Sequence, residues 1–204
     1  MPSLQTAGKL ALTVAVTGAS GSILVKHLLD SLDREERVGA VNLIFSDNGL
    51  RVVAEELGIT GRNDVIASLL GREPARIKQQ MNADIAANVA SGSYRTDAMI
   101  ILPCSMGTLS RIANGLSICL IERAADVCLK ERRPLILCVR ETPFNLIHLR
   151  NMTQAAEAGA TIFPVIPAFY FKPASTDDIA RKYVDRVLAH IGLPQPGAYQ
   201  WKAD

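Results

Sequence analysis

No apolar run in this 204-residue chain approaches the roughly twenty residues that a membrane-spanning helix requires. The longest, such as residues 10–16 and 99–102, have the length of buried strands. Neither sign of charge dominates. Twenty-two Lys and Arg stand against twenty Asp and Glu, a net of +2. A duplex-binding module would show a strong basic excess, so the balance argues against nucleic acid as a partner. Cysteine is sparse, and Cys104, Cys119, Cys128 and Cys138 show neither C-x-x-C nor zinc-finger spacing. A chain with so much apolar content needs no disulfides, so four buried thiols in a reducing compartment are expected. No second His or carboxylate stands at ligand spacing with His148, and no metal is expected; His148 itself reads as a helix-packing or subunit-contact residue. The start, M-P-S-L-Q-T-A-G-K, lacks a charged segment leading directly into an apolar stretch and a small-residue cleavage site, so a cytoplasmic location is expected.

Core-forming residues, by contrast, are plentiful. Hydrophobic residues make up 49% of the chain and charged ones 21%, a balance that excludes a disordered chain. The length fits one compact domain over residues 1–204, with 193–204 as a C-terminal tail. Apolar strands are expected at 10–16, 41–45, 98–102, 135–139 and 161–165. Helical periodicity follows each of the first four, at 23–32, 50–57, 106–112 with 120–130, and 146–158; a last helix at about 175–191 follows the fifth. Residues 58–88, broken by Gly61, Gly71 and Pro74, read as a mixed insertion. Continuously apolar strands alternating with helices imply an α/β fold, a doubly wound parallel sheet covered on both faces, Rossmann-like or flavodoxin-like.

In such folds ligands bind beyond the carboxyl ends of the strands. There the chain places small, hydroxylic or charged residues: Thr17-Gly18-Ala19-Ser20-Gly21, Ser46-Asp47-Asn48, Ser105-Met106-Gly107-Thr108 and Arg140-Glu141-Thr142. The first loop offers amides and a hydroxyl at a helix N-terminus, where a phosphate is attracted, although a ligand-free tight turn would choose the same residues. It is neither G-x-G-x-x-G nor a Walker A sequence. Ser105 and Thr108 add two hydroxyls across a helix's first turn. Glu131, Arg132 and Arg133 fit a solvated helix end. Arg140 and Glu141 follow a fully apolar strand, where uncompensated charge is costly, and read as functional.

Three segments, P-C-S-M-G-T-L-S-R-I-A-N-G at 103–115, R-A-A-D-V-C-L-K-E-R-R-P-L at 123–135 and R-E-T-P-F-N-L-I-H-L-R-N-M at 140–152, closely resemble the UbiX-type flavin prenyltransferases. The resemblance extends through T-G-A-S-G, A-S-G-S at 90–93, P-A-F-Y at 167–170 and D-R-V-L at 185–188. It implies transfer of a dimethylallyl group from dimethylallyl phosphate to reduced FMN, the product being prenylated FMN for a UbiD-type decarboxylase. Carried over position by position, it implies that Gly18, Ala19, Ser20, Ser46, Ser105, Met106, Gly107, Thr108 and Arg140 line the FMN site. It assigns Lys130, Glu141, Arg123 and Glu56 to catalysis, and Ser91, Tyr170, Arg186 and Trp201 to the prenyl donor. The family assembles as dodecamers, and a mean hydropathy of +0.17 fits a homo-oligomer with composite sites. The chain departs from many relatives at Leu24, His27, Phe171 and Lys172.

Two rival functions make different demands. Flavin-dependent cysteine decarboxylases carry a P-A-S-A-N-T loop and a P-x-M-N-x-x-M-W clamp, where this chain has P-C-S-M-G-T and P-F-N-L-I-H-L-R. A non-catalytic FMN carrier would be strongly acidic. An isoelectric point near 8.4, with Lys130, Arg140 and Arg186, points instead to an additional anionic substrate.

Overall fold

A computed structural model describes residues 8–59 and 64–198. Six strands, β1 (Leu10–Val16), β2 (Val38–Phe45), β3 (Ile77–Met81), β4 (Ala98–Cys104), β5 (Leu135–Val139) and β6 (Thr161–Ile162), form one sheet in the order β3-β2-β1-β4-β5-β6. Every pairing is parallel. Of the two expected topologies this is the Rossmann order, which reverses direction between β1 and β4.

Helices α1 (Ser22–Arg34), α2 (Asp47–Leu57), α3 (Val65–Leu70), α4 (Met106–Ala113), α5 (Leu120–Lys130), α6 (Leu146–Glu157) and α7 (Thr176–His190) complete the architecture. Alternate strand residues point to opposite faces, and each face has its own cover. Leu12, Val14 and Val16 of β1 pack with Leu28 and Leu29 of α1 and Val184 and Leu188 of α7. Ala15, Met99, Ile101 and Leu137 face the other way, against Leu109 of α4 and Ile121 and Ala125 of α5. Two covered faces explain the unbroken apolar strands. Truncating one such fully buried leucine to alanine costs about 2–5 kcal/mol.

The expected insertion contains α3 and the edge strand β3, whose Ile77–Met81 pairs with Val41–Phe45. Only Ile77 of that strand is buried, so I-K-Q-Q-M carries no apolar alternation. A buried carboxylate anchors the approach to it. Asp33 accepts from the amides of Ala75 (2.9 Å) and Arg76 (2.8 Å) and pairs with the Arg72 guanidinium. The expected strand at 161–165 is shorter, because Pro164 has no N–H to donate. Phe163 N and Val165 N still donate to Leu137 O and Val139 O, each at 2.9 Å. Of the thiols, three are buried, while Cys119 is only partly so and points at the Glu122 carboxylate.

Candidate active site

Residues just past β1 and β4 are stitched together by one buried hydroxyl. Thr17 Oγ1 donates to Pro103 O and accepts from Ser105 N, both at 2.8 Å. The third loop comes just as close. A Cβ on Gly18 would sit 2.5 Å from Asn48 Cβ, and one on Gly49 would run into the Val16 carbonyl. Loops 17–21, 46–49 and 103–108 therefore meet at the point where strand order reverses, the crevice in which such sheets bind ligands. The sequence places Thr17 in the first of the ligand-end loops but gives no sign that its hydroxyl ties that loop to the one after β4, because the partners lie 86 and 88 positions away.

The first turn of a helix leaves amides without intrahelical partners, and these three loops treat them differently. At α2, Ser46 Oγ accepts from Gly49 N at 3.0 Å; at α4, Ser105 Oγ accepts from Thr108 N at 3.4 Å. The α4 amides of Met106 and Gly107 have no acceptor among the described residues, and Gly107 is exposed. At α1 two of the amides already have an acceptor. Gly21 N and Ser22 N donate to Glu56 Oε2 at 3.1 and 2.7 Å, so a carboxylate of α2 already fills the anion position expected for a phosphate. Burial alone would raise the Glu56 pKa, but hydrogen bonds from Ser20, Ser22 and Gly21 outweigh it and hold the carboxyl below its usual range. Glu56 is thus an anion that can accept, rather than supply, a proton.

Arg140 sits at the end of β5, its amide donating to Cys104 O at 3.1 Å beside the α4 loop. Its side chain is exposed, not buried, with no partner among the described residues. The burial argument for Arg140 therefore fails, and what remains is an unpaired guanidinium at the crevice. Glu141 is also exposed and accepts from Thr142 N at 2.9 Å.

Tyr170 and Arg186 come together in a second place. With Phe171, Lys182 and Asp185 they line a cavity of about 480 Å³ between α7 and the segment after β6. Trp201 lies outside the described residues.

A third group runs along α5. Arg123 Nε donates to Ala90 O (3.1 Å) and NH1 pairs with Asp126 (2.6 Å); Ser91 Oγ and Ser93 Oγ are 2.8 Å apart. Lys130 pairs with Glu131 beside Gly92. The helix starts at the carboxyl edge of the sheet, where Leu120 N donates to Asn82 O. Eleven residues at about 1.5 Å each carry Lys130 roughly 15 Å away, to the opposite edge. Ser91 and Lys130 are thus not brought to the FMN loops of their own chain. His148, expected as a packing or contact residue, stands in the first turn of α6, where its Nδ1 accepts from Asn145 N at 3.4 Å.

A family model described as Flavoprotein matches residues 1–188. Flavin prenyltransferase UbiX of Alkalihalophilus pseudofirmus is 42% identical over 192 residues, 93% of this chain and 95% of that protein. The chain belongs to the UbiX-type flavin prenyltransferase family. A dodecameric FMN-dependent UbiX-like decarboxylase from Escherichia coli O157:H7 superposes with a TM-score of 0.84 at 39% identity, covering 95% of this chain and all of that one. AnUbiX (PadA1), in complex with FMN and dimethylallyl pyrophosphate, superposes with a TM-score of 0.83 at 38% identity, covering 96% and 98%. Both overlaps cover nearly the whole chain.

Proposed function

We propose that the chain transfers a dimethylallyl group from dimethylallyl phosphate to reduced FMN, at sites assembled between copies of itself, and supplies prenylated FMN to a UbiD-type decarboxylase. The observation that carries this reading is the pairing of two anion-binding places in one fold, the crevice loops with Arg140 and the α7 cavity with Arg186 and Tyr170. An FMN carrier needs only the first. The cysteine-decarboxylase alternative loses support with the P-C-S-M-G-T loop.

The crevice suits FMN. Two open amides at the α4 N-terminus, the hydroxyls of Ser46 and Thr108, with Ser105 Oγ donating to Thr108 Oγ1 at 3.2 Å, and the unpaired Arg140 form a donor set for a phosphate and polar ring edge. Gly18 and Ala19 leave the approach clear. Met106, largely buried at 8% exposure, gives that approach an apolar wall. Reduced FMN would supply the nucleophile for the transfer.

The allylic carbon–oxygen bond breaks with its electron pair going to the phosphate oxygen, so negative charge grows on the leaving group. Arg186 and Tyr170 are the fixed donors that stabilise it, with no metal required. Glu56, held ionised beside Ser20, takes up the proton that the acceptor nitrogen sheds, and Glu141 moves protons at the crevice mouth. Lys130 and Ser91, too far from their own crevice, serve the crevice of a neighbouring copy, with Arg123 beside them. Exposed apolar side chains support such assembly: Leu146 and Ile147 on α6 are 60% and 64% exposed, and Ile118 is 71% exposed. We place twelve copies in the assembly.

The test is anaerobic incubation with reduced FMN and dimethylallyl phosphate, then mass spectrometry of the extracted flavin. A gain of one dimethylallyl group is expected; unaltered FMN after prolonged incubation overturns the reading.

A further inference from the structure

Arg111 closes a hydrogen-bonded chain that runs from the crevice to the start of α5. Its side chain folds back toward the N-terminus of α4, the direction helical side chains take, and NH2 donates to Thr108 Oγ1, three residues earlier, at 3.4 Å. On its other side Nε donates to Glu122 Oε1 at 2.7 Å. Glu122 is buried, and its second oxygen is committed to Cys119, accepting from the amide at 3.1 Å and from the thiol. The guanidinium is thus matched by a carboxylate and has little net charge to offer a further anion. What it fixes is one proton. Thr108 Oγ1 also accepts from Ser105 Oγ at 3.2 Å, so two donors fill the two lone pairs of that hydroxyl. Its own hydrogen is left to donate, and it has no acceptor among the described residues. Thr108 is only 3% exposed, and a helical threonine can return this hydrogen to the carbonyl four residues back; here it does not. The open amides of Met106 and Gly107 stand in the same turn, and a Cβ on Gly107 would lie 3.6 Å from Arg111 NH1.

We propose that Arg111 and Glu122 are positioning residues of the FMN site. Glu122 holds Arg111, Arg111 holds Thr108 Oγ1 as an acceptor, and the Thr108 hydrogen is thereby aimed, with the Met106 and Gly107 amides, at the FMN phosphate. This assignment rests on the proposed placement of FMN in the crevice, with its phosphate at the α4 N-terminus. A hydroxyl already held as a donor has less freedom to lose when the anion arrives, and its bond to a phosphate oxygen is charge-assisted. Direct phosphate binding by Arg111 fits less well, because the buried carboxylate at 2.7 Å already claims its charge. A purely structural tie between α4 and α5 would need only the Nε bond and would not involve Thr108.

The experiment measures the binding of FMN and of riboflavin, which differ only in the phosphate, to the full-length protein freed of flavin. Arg111→Met should weaken FMN about tenfold more than riboflavin. Because that variant leaves Glu122 buried and unpaired, the double variant Arg111→Met with Glu122→Gln is measured beside it and should show the same selective loss. Thr108→Val keeps the shape and removes the hydroxyl. It should lose at least as much selectivity, and adding Arg111→Met to it should cost nothing further. Selective loss in Thr108→Val but in neither Arg111 variant overturns the positioning role and leaves FMN in the crevice. Equal losses of FMN and riboflavin in the Arg111 variants, or losses that add in full to that of Thr108→Val, overturn it as well. A wild type that binds riboflavin as tightly as FMN overturns the phosphate placement on which the role depends.

Discussion

Lys130, Arg140 and Glu141 are ten and eleven residues apart in sequence, but the fold puts the first at one edge of the sheet and the other two at the opposite edge. Their variants should therefore fail differently. Lys130→Ala should keep FMN and lose on the order of a hundredfold in prenylation rate, as expected for removing a charged donor from the transition state. Arg140→Ala should release FMN. Glu141→Gln keeps shape but not proton transfer, so it should bind both ligands and stall. Flavin retention and adduct mass, measured separately under anaerobic conditions, distinguish the three; wild-type turnover in all three would refute the site. At this scale the sequence was a partial guide. The loop residues were legible because glycine and hydroxylic side chains at strand ends have few other uses, and Glu56 was found through family resemblance. Its bonds to Gly21 N and Ser22 N were not legible, because they join residues 35 and 34 positions apart. The link from Glu122 through Arg111 to Thr108 was hidden for a related reason: it exists only once α5 packs beside α4.

Among the elements, strands buried on both faces announce themselves through continuous apolar runs, and β1, β2, β4 and β5 were readable on that ground. The edge strand β3 was not, since it is paired on one side only and buries one residue. The expected strand at 161–165 was read too long because apolar content does not reveal Pro164's missing donor. Where tertiary contacts anchor an element end, charge does the anchoring. Glu35, just after α1, takes Arg37 Nε and NH2 at 2.8 and 2.7 Å, while Gln195 Nε2 donates to it at 3.2 Å from the C-terminal segment. The Arg37 hydrogen bonds lower the Glu35 carboxyl from 4.5 to about 2, overcoming its desolvation. A depressed carboxylate stabilises the fold above its unfolded pKa, and that contribution is lost as pH falls through the folded value. The window is therefore about pH 4.5 down to 2. Wild type should exceed Glu35→Gln in thermal unfolding temperature at pH 6, with the gap shrinking steadily across that window. A gap independent of pH would show that charge on Glu35 contributes nothing.

At the level of the whole molecule, the distance of Lys130 from its own crevice and the exposed apolar side chains of α6 have one common account, a transfer site built from more than one copy. Positive mean hydropathy hinted at assembly, but only the course of α5 down the sheet separates Lys130 from the loops it is meant to serve. The most direct measurement is complementation in mixed oligomers. Lys130→Ala and Arg186→Met are purified separately, co-assembled by dissociation and reassociation, and incubated anaerobically with reduced FMN and dimethylallyl phosphate beside wild type. Each variant alone should leave FMN unmodified on the assay timescale, whereas the mixture should yield prenylated FMN, because some sites then combine an intact Lys130 with an intact Arg186. A mixture as inactive as its parents, beside an active wild type, would contradict the shared site, and a wild type that leaves the mass of FMN unchanged would contradict the function itself.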